Sequence, residues 1–247
     1  MVESARGSAS LRGGFLPSAS PRPIDAPTAA VVFLGAWLAA QIVASIVLSV
    51  LHGTATTTDP SFQVTAAALA GAWATYLTAM WLASQRAGSG SVVADYGIRF
   101  RPVDVLGLGI GALCSLVLIR LVYLPLEAIW PATFSEERLT ENAEDLVARA
   151  DGSTWLVVIV VVIGAPVVEE LFYRGLLQRS LAARYREGFV VVAVAAVFAI
   201  VHFRPVEIPG LFAIGLVFGV AALWTGRLGM AMTIHAGFNA VGIVQAL

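Results

Sequence analysis

Residues 154–174 read TWLVVIVVVIGAPVVEELFYR, an apolar run that leads into two adjacent glutamates. A helix needs about 20 mostly apolar residues to cross a hydrocarbon core of roughly 30 Å, and this stretch has that length. The helical pattern continues past Pro166 into Glu169 and Glu170, so charged side chains lie on the span itself. The stretch therefore predicts a membrane-spanning helix that carries carboxylates near one end.

The rest of the chain repeats this apolar pattern. Of its 247 residues, 58% are hydrophobic and 13% are charged, whereas soluble domains carry about 25% charged residues. A single soluble core cannot bury such an apolar excess, but a bilayer can accommodate it. The sequence thus predicts an all-α, polytopic transmembrane helical bundle of about seven spans. We place the other six at residues 28–51, 62–84, 103–124, 189–202, 208–224 and 228–247.

The segments outside the spans divide the chain. Residues 1–27 are rich in Ser, Gly, Pro and Arg without a period, which predicts a disordered tail. Residues 28–124 are the three N-terminal transmembrane helices, and residues 154–247 are a helical core. The acidic segment 125–153 lies between them, where Thr133 and Glu136 predict a capping box that opens a short surface helix.

Arginine placement predicts the orientation. Arginines occur in the tail, in the second loop and after the fourth span, while the first loop has none. Because basic residues favour the cytoplasmic side, we expect a multi-pass protein of the cell membrane with a cytoplasmic N-terminus and an extracytoplasmic 125–153 loop. The formal net charge of −1 predicts no nucleic-acid partner.

Two glycine patterns lie within the spans. Gly107, Gly109 and Gly111 superficially resemble a dinucleotide-binding loop, but no strand precedes them. Gly215 and Gly219 form a GxxxG pair on the sixth span. Both patterns are most simply explained by close contact between membrane helices.

Ionisable residues inside the apolar helices cluster in the C-terminal part of the chain. Such a residue costs at least about 2.5–3.5 kcal/mol in a membrane, so it usually faces a partner or a cavity and indicates function. Arg174 follows Glu170 by four residues, a spacing that pairs them on one helix face. An interfacial salt bridge would explain this pair. It leaves Glu169 unexplained, because Glu169 points about 100° away around the helix.

Three further polar residues lie on the next spans. His202 follows Phe198 by one helical turn, and Asn239 follows His235 by the same spacing. The non-catalytic alternatives are that His202 is an interfacial residue and that His235 and Asn239 form hydrogen bonds between helices. Taken with Glu169, these residues offer one carboxylate, two imidazoles and one amide, which suit water activation and oxyanion stabilisation in amide hydrolysis. No serine or cysteine lies beside a base, so covalent catalysis is disfavoured.

In this order, the motifs Glu169-Glu170-x-x-x-Arg174, Phe198-x-x-x-His202 and His235-x-x-x-Asn239 resemble those of the CPBP family. That family includes Rce1-type CAAX prenyl proteases and bacteriocin-processing or immunity proteins, also called Abi proteins. The resemblance covers roughly residues 150–247 and implies an intramembrane endopeptidase with a CAAX-protease-like fold. It makes Glu169 the general base assisted by His202, with His235 and Asn239 on the scissile carbonyl or its oxyanion. Glu170, Arg174 and Phe198 would support them.

The residues leave the cofactor open. In one alternative Glu169, His202 and His235 are the three protein ligands of a catalytic zinc, and family members are commonly labelled metalloproteases. In the other, a glutamate activates water without a metal; the absence of an HExxH motif favours this version. The expected partners are the lipid bilayer and a hydrophobic or lipidated peptide substrate.

Two other function classes remain open at this point. A transporter or proton relay also uses buried Glu and His, although it would predict repeats with broken helices in both halves, whereas the polar residues here lie in one half only. A non-catalytic immunity or scaffold protein could keep the same motifs. Helix lengths raise one difficulty, because they place Glu169 and His235 towards the cytoplasmic side and His202 nearer the opposite side.

Overall fold

The computed structural model describes residues 24–53 and 59–247 of the chain. These residues form helices joined by short connections and contain no strand. We number the helices in chain order: α1 Ala26–His52, α2 Phe62–Ala87, α3 Val92–Tyr96, α4 Pro102–Ile129, α5 Glu136–Ala148, α6 Thr154–Ala182, α7 Glu187–Ile200, α8 Ile208–Thr225 and α9 Gly229–Gln245.

Five of these helices, α1, α2, α4, α6 and α8, are long and apolar enough to cross a membrane. The chain is therefore a multi-pass helical membrane bundle, as predicted. Helix α7 has 14 residues and α9 has 17. The predicted total of seven spans requires both to cross as well, and it stays a prediction.

Several helix bounds differ from the predicted ones. Helix α1 begins at Ala26, because Asp25 caps it by accepting a hydrogen bond from the Thr28 N–H at 3.0 Å. Helix α4 continues through Pro125 to Ile129, beyond the predicted end of the third span. The acidic segment does contain a helix, α5, but its cap is Ser135 rather than Thr133. Residues 1–23 of the predicted tail lie outside the described residues.

Helix α6 lies at the centre of the bundle. Its Phe172 is fully buried and stacks between Phe33 of α1 and Tyr76 of α2, at ring-centroid distances of 4.4 and 4.1 Å. Two stretches of α6, Val158–Gly164 and Glu170–Gln178, are π-helical. Wider turns of this kind occur frequently at functional sites, and the second one carries Glu170.

Helix α9 packs tightly on α4 through glycines. A Cβ atom added to Gly107 or Gly111 would collide with Thr233 or with the backbone of Ile234, and one added to Gly237 would collide with the backbone of Leu108. Gly109 has open space around it. Close helix packing, rather than nucleotide binding, thus accounts for Gly107 and Gly111.

A buried ion pair joins the start of α4 to the turn before α9. The Arg227 guanidinium donates to both carboxylate oxygens of Asp104, at 2.5 and 3.1 Å. The Thr233 hydroxyl donates to the Asp104 carbonyl at 2.5 Å. This end of the bundle therefore holds α9 in register with α4.

Candidate active site

Glu170 is the most deeply buried acid of the candidate site. Its side chain is 0% exposed, and its Oε1 accepts hydrogen bonds from Arg174 Nη1 at 3.1 Å and from His235 Nδ1 at 2.9 Å. The salt bridge between Glu170 and Arg174 is present, and it lies inside the protein rather than on an exposed surface. A single carboxylate thus joins α6 to α9.

His235 is held by this carboxylate and by aromatic rings. Its imidazole stacks on Phe218 of α8 at 4.5 Å and meets Phe198 of α7 edge-on at 6.0 Å. The Glu170 carboxylate, paired with the Arg174 guanidinium, accepts hydrogen bonds, so the bond between Glu170 and His235 is donated by Nδ1–H of His235. The other nitrogen, Nε2, is then the atom available to a substrate.

Arg174 joins Glu170 to residues of α7 and α8. Its Nη2 donates to the Gly215 carbonyl at 3.0 Å, and its guanidinium lies 4.7 Å from the Phe198 ring and 5.2 Å from the Phe218 ring. One turn later, Gln178 Nε2 donates to the Gly219 carbonyl at 2.9 Å. Arg174 and Gln178 therefore tie α6 to the GxxxG pair of α8.

His202 lies just after α7, where the helix has ended. Its Nδ1 is 2.6 Å from the Phe198 carbonyl oxygen, and its ring is 4.7 Å from the Phe198 ring. A carbonyl oxygen only accepts, so Nδ1 carries the proton and the lone pair of neutral His202 is on Nε2. His202 has the protonation pattern of a base.

Phe198 brings the two predicted histidines together, because both imidazoles contact its ring. His202 and His235 therefore lie near each other, which answers the difficulty of depth that helix lengths raised for this pair.

Asn239 lies one turn after His235 on α9. Its Nδ2 donates to the Val161 carbonyl at 2.8 Å, within the first π-helical stretch of α6. The predicted interhelical hydrogen bond is therefore present. It uses one of the two amide N–H groups, and the second remains for another acceptor.

Glu169 occupies a different face of α6 from Glu170, as its position in the helix predicts. It is half-buried and interacts electrostatically with the hydroxyl groups of Tyr76 and Tyr173. No hydrogen bond among the described residues joins Glu169 to His202 or His235. The structure thus gathers His202, His235 and Phe198, and it leaves the Glu169 carboxylate beside two tyrosines.

These positions do not form a three-ligand metal site. Among residues 24–53 and 59–247, no group of three or more His, Cys, Asp or Glu side chains could hold a metal ion. Glu169, His202 and His235 as placed do not fit the zinc alternative, and no step below uses a metal.

Sequence reasoning missed several contributors to the site. Gln178 continues the stripe of Glu170 and Arg174 at the same four-residue spacing, so periodicity could have found it. Tyr76 and Phe218 come from other helices, and no local pattern distinguishes them from lipid-facing aromatics.

Comparison with known protein families gives one match. The model described as "Rce1-like: Type II CAAX prenyl endopeptidase Rce1-like" matches residues 151–241, the segment that contains all three motifs. Neither curated proteins nor solved structures gave a match. The predicted resemblance is confirmed at the family level, since residues 151–241 of this multi-pass membrane protein match the Rce1-like model of the CAAX proteases.

Proposed function

We propose that the chain is an intramembrane endopeptidase that hydrolyses hydrophobic or lipidated peptides with water activated by Glu169 and His202. One observation carries the proposal: two imidazoles from different helices share Phe198, each with Nδ1 held by a protein acceptor. Each histidine therefore directs its chemistry to Nε2. Such fixed tautomers are typical of catalytic histidines.

In the proposed reaction, a water molecule lies between Glu169 and His202. Glu169, assisted by His202, accepts the water proton while the water oxygen bonds to the scissile carbonyl carbon. The C–N bond then breaks, and the proton passes to the leaving amine, so the products are a carboxylic acid and an amine. A general base of this kind contributes about 10²–10⁴-fold to the rate.

His235 and Asn239 would stabilise the oxyanion. For this role Nε2 of His235 carries a proton, which gives an imidazolium beside the Glu170 carboxylate. The charges then balance as the reaction proceeds, since Arg174 and His235 are matched by Glu170 and the developing oxyanion. The second N–H of Asn239 is the other donor. Losing one oxyanion donor costs about 10²–10³-fold in kcat.

The test is a peptidase assay with purified protein in lipid nanodiscs, read by mass spectrometry of the products. The substrates are a farnesylated peptide and the same peptide without the lipid. We expect wild type to cleave at least one of them and His202→Ala and His235→Ala to lose about 100-fold or more. Equal rates in wild type and both variants would overturn the enzymatic proposal.

Glu127→Gln is the matched control, because Glu127 pairs with the exposed Arg120 at 3.7 Å on α4. It removes an acid on a membrane helix outside the site, and we expect an unchanged rate. A chelator should also leave the rate unchanged. Inhibition by a chelator that added zinc reverses would contradict the metal-free reaction.

A further inference from the structure

The connection between α7 and α8, residues 201–207, carries His202 and consists of two short turns. In the first, which follows α7, the His202 N–H donates to the Ala199 carbonyl at 3.4 Å. In the second, which leads into α8, the Glu207 N–H donates to the Arg204 carbonyl at 2.9 Å. His202 thus lies outside regular helix, and the position of its imidazole depends on what holds this connection.

Tyr123 of α4 holds the second turn and the start of α8 through one hydroxyl group. The hydroxyl donates to the Val206 carbonyl at 2.7 Å and accepts from the Gly210 N–H at 3.1 Å. Tyr123 is only 3% exposed, and its ring lies 5.9 Å from the ring of Phe134. A Cβ atom added to Gly210 would come within 3.0 Å of both the Tyr123 ring and its hydroxyl. Tyr123 is therefore closely packed against the residues that it binds.

The chain between Val206 and His202 has little freedom to absorb movement. Phe203 has a φ of +54°, which is uncommon for an aromatic residue. Pro205 fixes its own φ and also restricts the residue before it. Strained backbone persists only where the surrounding structure fixes it, and the two bonds of Tyr123 do so here. A displacement of Val206 is therefore passed on to His202.

A purely structural role would make Tyr123 a cap for α8. The first N–H groups of a helix lack partners within the helix, and Glu207 makes no capping hydrogen bond with its side chain. The bond from Gly210 to Tyr123 meets that need. The bond to Val206 does not, because Val206 precedes α8 and lies in the connection. Capping alone thus leaves the shorter of the two bonds unexplained.

We propose that Tyr123 is a positioning residue for His202, which it holds through the Val206 carbonyl and the stiff chain between them. This inference rests on the proposed function. The Nδ1–H of His202 lies on the Phe198 carbonyl at 2.6 Å, and a fixed backbone keeps Nε2 directed at the water. Tyr123 lies outside residues 151–241, so a helix beyond the family match contributes to the proposed reaction.

The test compares Tyr123→Phe with Tyr96→Phe in the nanodisc peptidase assay. Tyr96 is the matched control, because it is 1% exposed and its hydroxyl donates to the Met80 carbonyl at 2.6 Å, away from the connection 201–207. We expect Tyr123→Phe to lower kcat about 10-fold with little change in KM, less than the about 100-fold that a misplacement of about 1 Å can cost. Tyr96→Phe should keep the wild-type kcat.

Gly210→Ala is a second variant, and it keeps the hydroxyl. Its methyl group crowds Tyr123, so kcat should fall by less than in Tyr123→Phe, whereas Gly109→Ala adds a methyl group in open space and should match wild type. Equal kcat in wild type, Tyr123→Phe and Gly210→Ala, with His202→Ala inactive, would overturn this inference and leave the proposed function intact. A wild type that cleaves neither peptide would instead overturn the proposed function.

A spectroscopic measurement separates positioning from stability and needs no activity. The chain has three histidines, so ¹⁵N imidazole signals can be assigned by replacing each in turn. Tyr123→Phe should move the His202 signals more than those of His235, while Tyr96→Phe moves neither, even where both variants lower the unfolding temperature. Unmoved His202 signals in Tyr123→Phe, or an equal movement in Tyr96→Phe, would contradict the positioning role.

Discussion

Helices α4 and α6 are equally apolar, with the same mean hydropathy over their most apolar windows, yet they occupy different environments. Only 11% of the α4 window is buried inside the protein, against 39% of the α6 window. Leu113 and Leu121 of α4 are 61% and 62% exposed, as expected of side chains that face acyl chains. Apolarity places both helices in the membrane, but it does not say which one carries the site.

The buried polar residues do distinguish the two regions. In the N-terminal region, those on α2, α3 and α4 hold the connections at one end of the bundle, as Asp95 and Asp104 do. In the C-terminal region, Glu170, Arg174 and His235 lie within the helices and bind one another. Burying these charged side chains in the membrane is costly, and their contacts with one another offset that cost in the region that contains the candidate site.

The largest expected effect is on Glu170. Replacing it in Glu170→Leu leaves Arg174 buried without its carboxylate, which typically costs about 3–5 kcal/mol of unfolding free energy. The measurement is an SDS titration of protein in mixed micelles. The Arg120–Glu127 pair of α4, whose side chains are 55% and 23% exposed, provides the comparison, and Glu127→Leu should cost only about 0–1 kcal/mol. Equal losses in the two variants would mean that the buried cluster is no more important than a surface pair.

The next effect is at the contact between the two regions. In Gly111→Ala the new methyl group collides with the backbone of Ile234, so α4 and α9 must separate. We expect a loss of about 1–3 kcal/mol in the same titration. Gly109→Ala lies two residues away with open space and should be neutral or slightly stabilising. A loss in Gly109→Ala as large as that in Gly111→Ala would show that the packing is not the cause.

The pH dependence of the unfolding free energy tests the role of Asp95 in the segment that joins α2 to α4. Burial opposes ionisation of Asp95, but hydrogen bonds from Ser84 and Ser89 outweigh it and lower the pKa of the Asp95 carboxyl. A lowered folded pKa means that the stabilisation is present above the unfolded value of about 3.9 and is lost as pH falls through the folded pKa. Unfolding free energy should therefore decline on acidification below about pH 4.

In Asp95→Asn that part of the decline should disappear, with a loss at neutral pH of about 1.5–3 kcal/mol from the charged hydrogen bonds. The exposed Asp151 offers a control, since Asp151→Asn should leave the acid slope unchanged. An identical acid slope in wild type and Asp95→Asn would contradict the assignment.

The smallest effect is expected for Arg120. Its side chain is 55% exposed and 3.7 Å from Glu127, an arrangement that contributes little. Arg120→Gln should change unfolding free energy by less than about 1 kcal/mol and leave cleavage unchanged. A larger loss would show that α4 contributes more to the site than its exposure suggests.

The sequence was sufficient to predict a helical membrane bundle, because length and hydropathy set the spans almost without regard to tertiary contacts. It also predicted that Glu170 and Arg174 pair, since their four-residue spacing is local to one helix. The burial of that pair could not be predicted from local sequence, because it depends on α8 and α9, which cover the pair. The complete burial of the pair was therefore not predictable from the sequence.

The sequence was sufficient to predict which polar residues belong to the candidate site, but not how they contact one another. His202 and His235 both contact Phe198, although helix lengths predicted different depths for them. The hydrogen bond of Asn239 to Val161 depends on a π-helical stretch that no sequence pattern indicated.

The central claim is that Glu169, outside the Glu170 cluster, is the base of a hydrolytic reaction. The most direct measurement is kcat of Glu169→Gln in nanodiscs with a peptide that wild type cleaves, alongside its unfolding temperature. We predict a fall of about 100-fold or more with an unchanged unfolding temperature. A folded Glu169→Gln protein that cleaves at the wild-type rate would contradict the account.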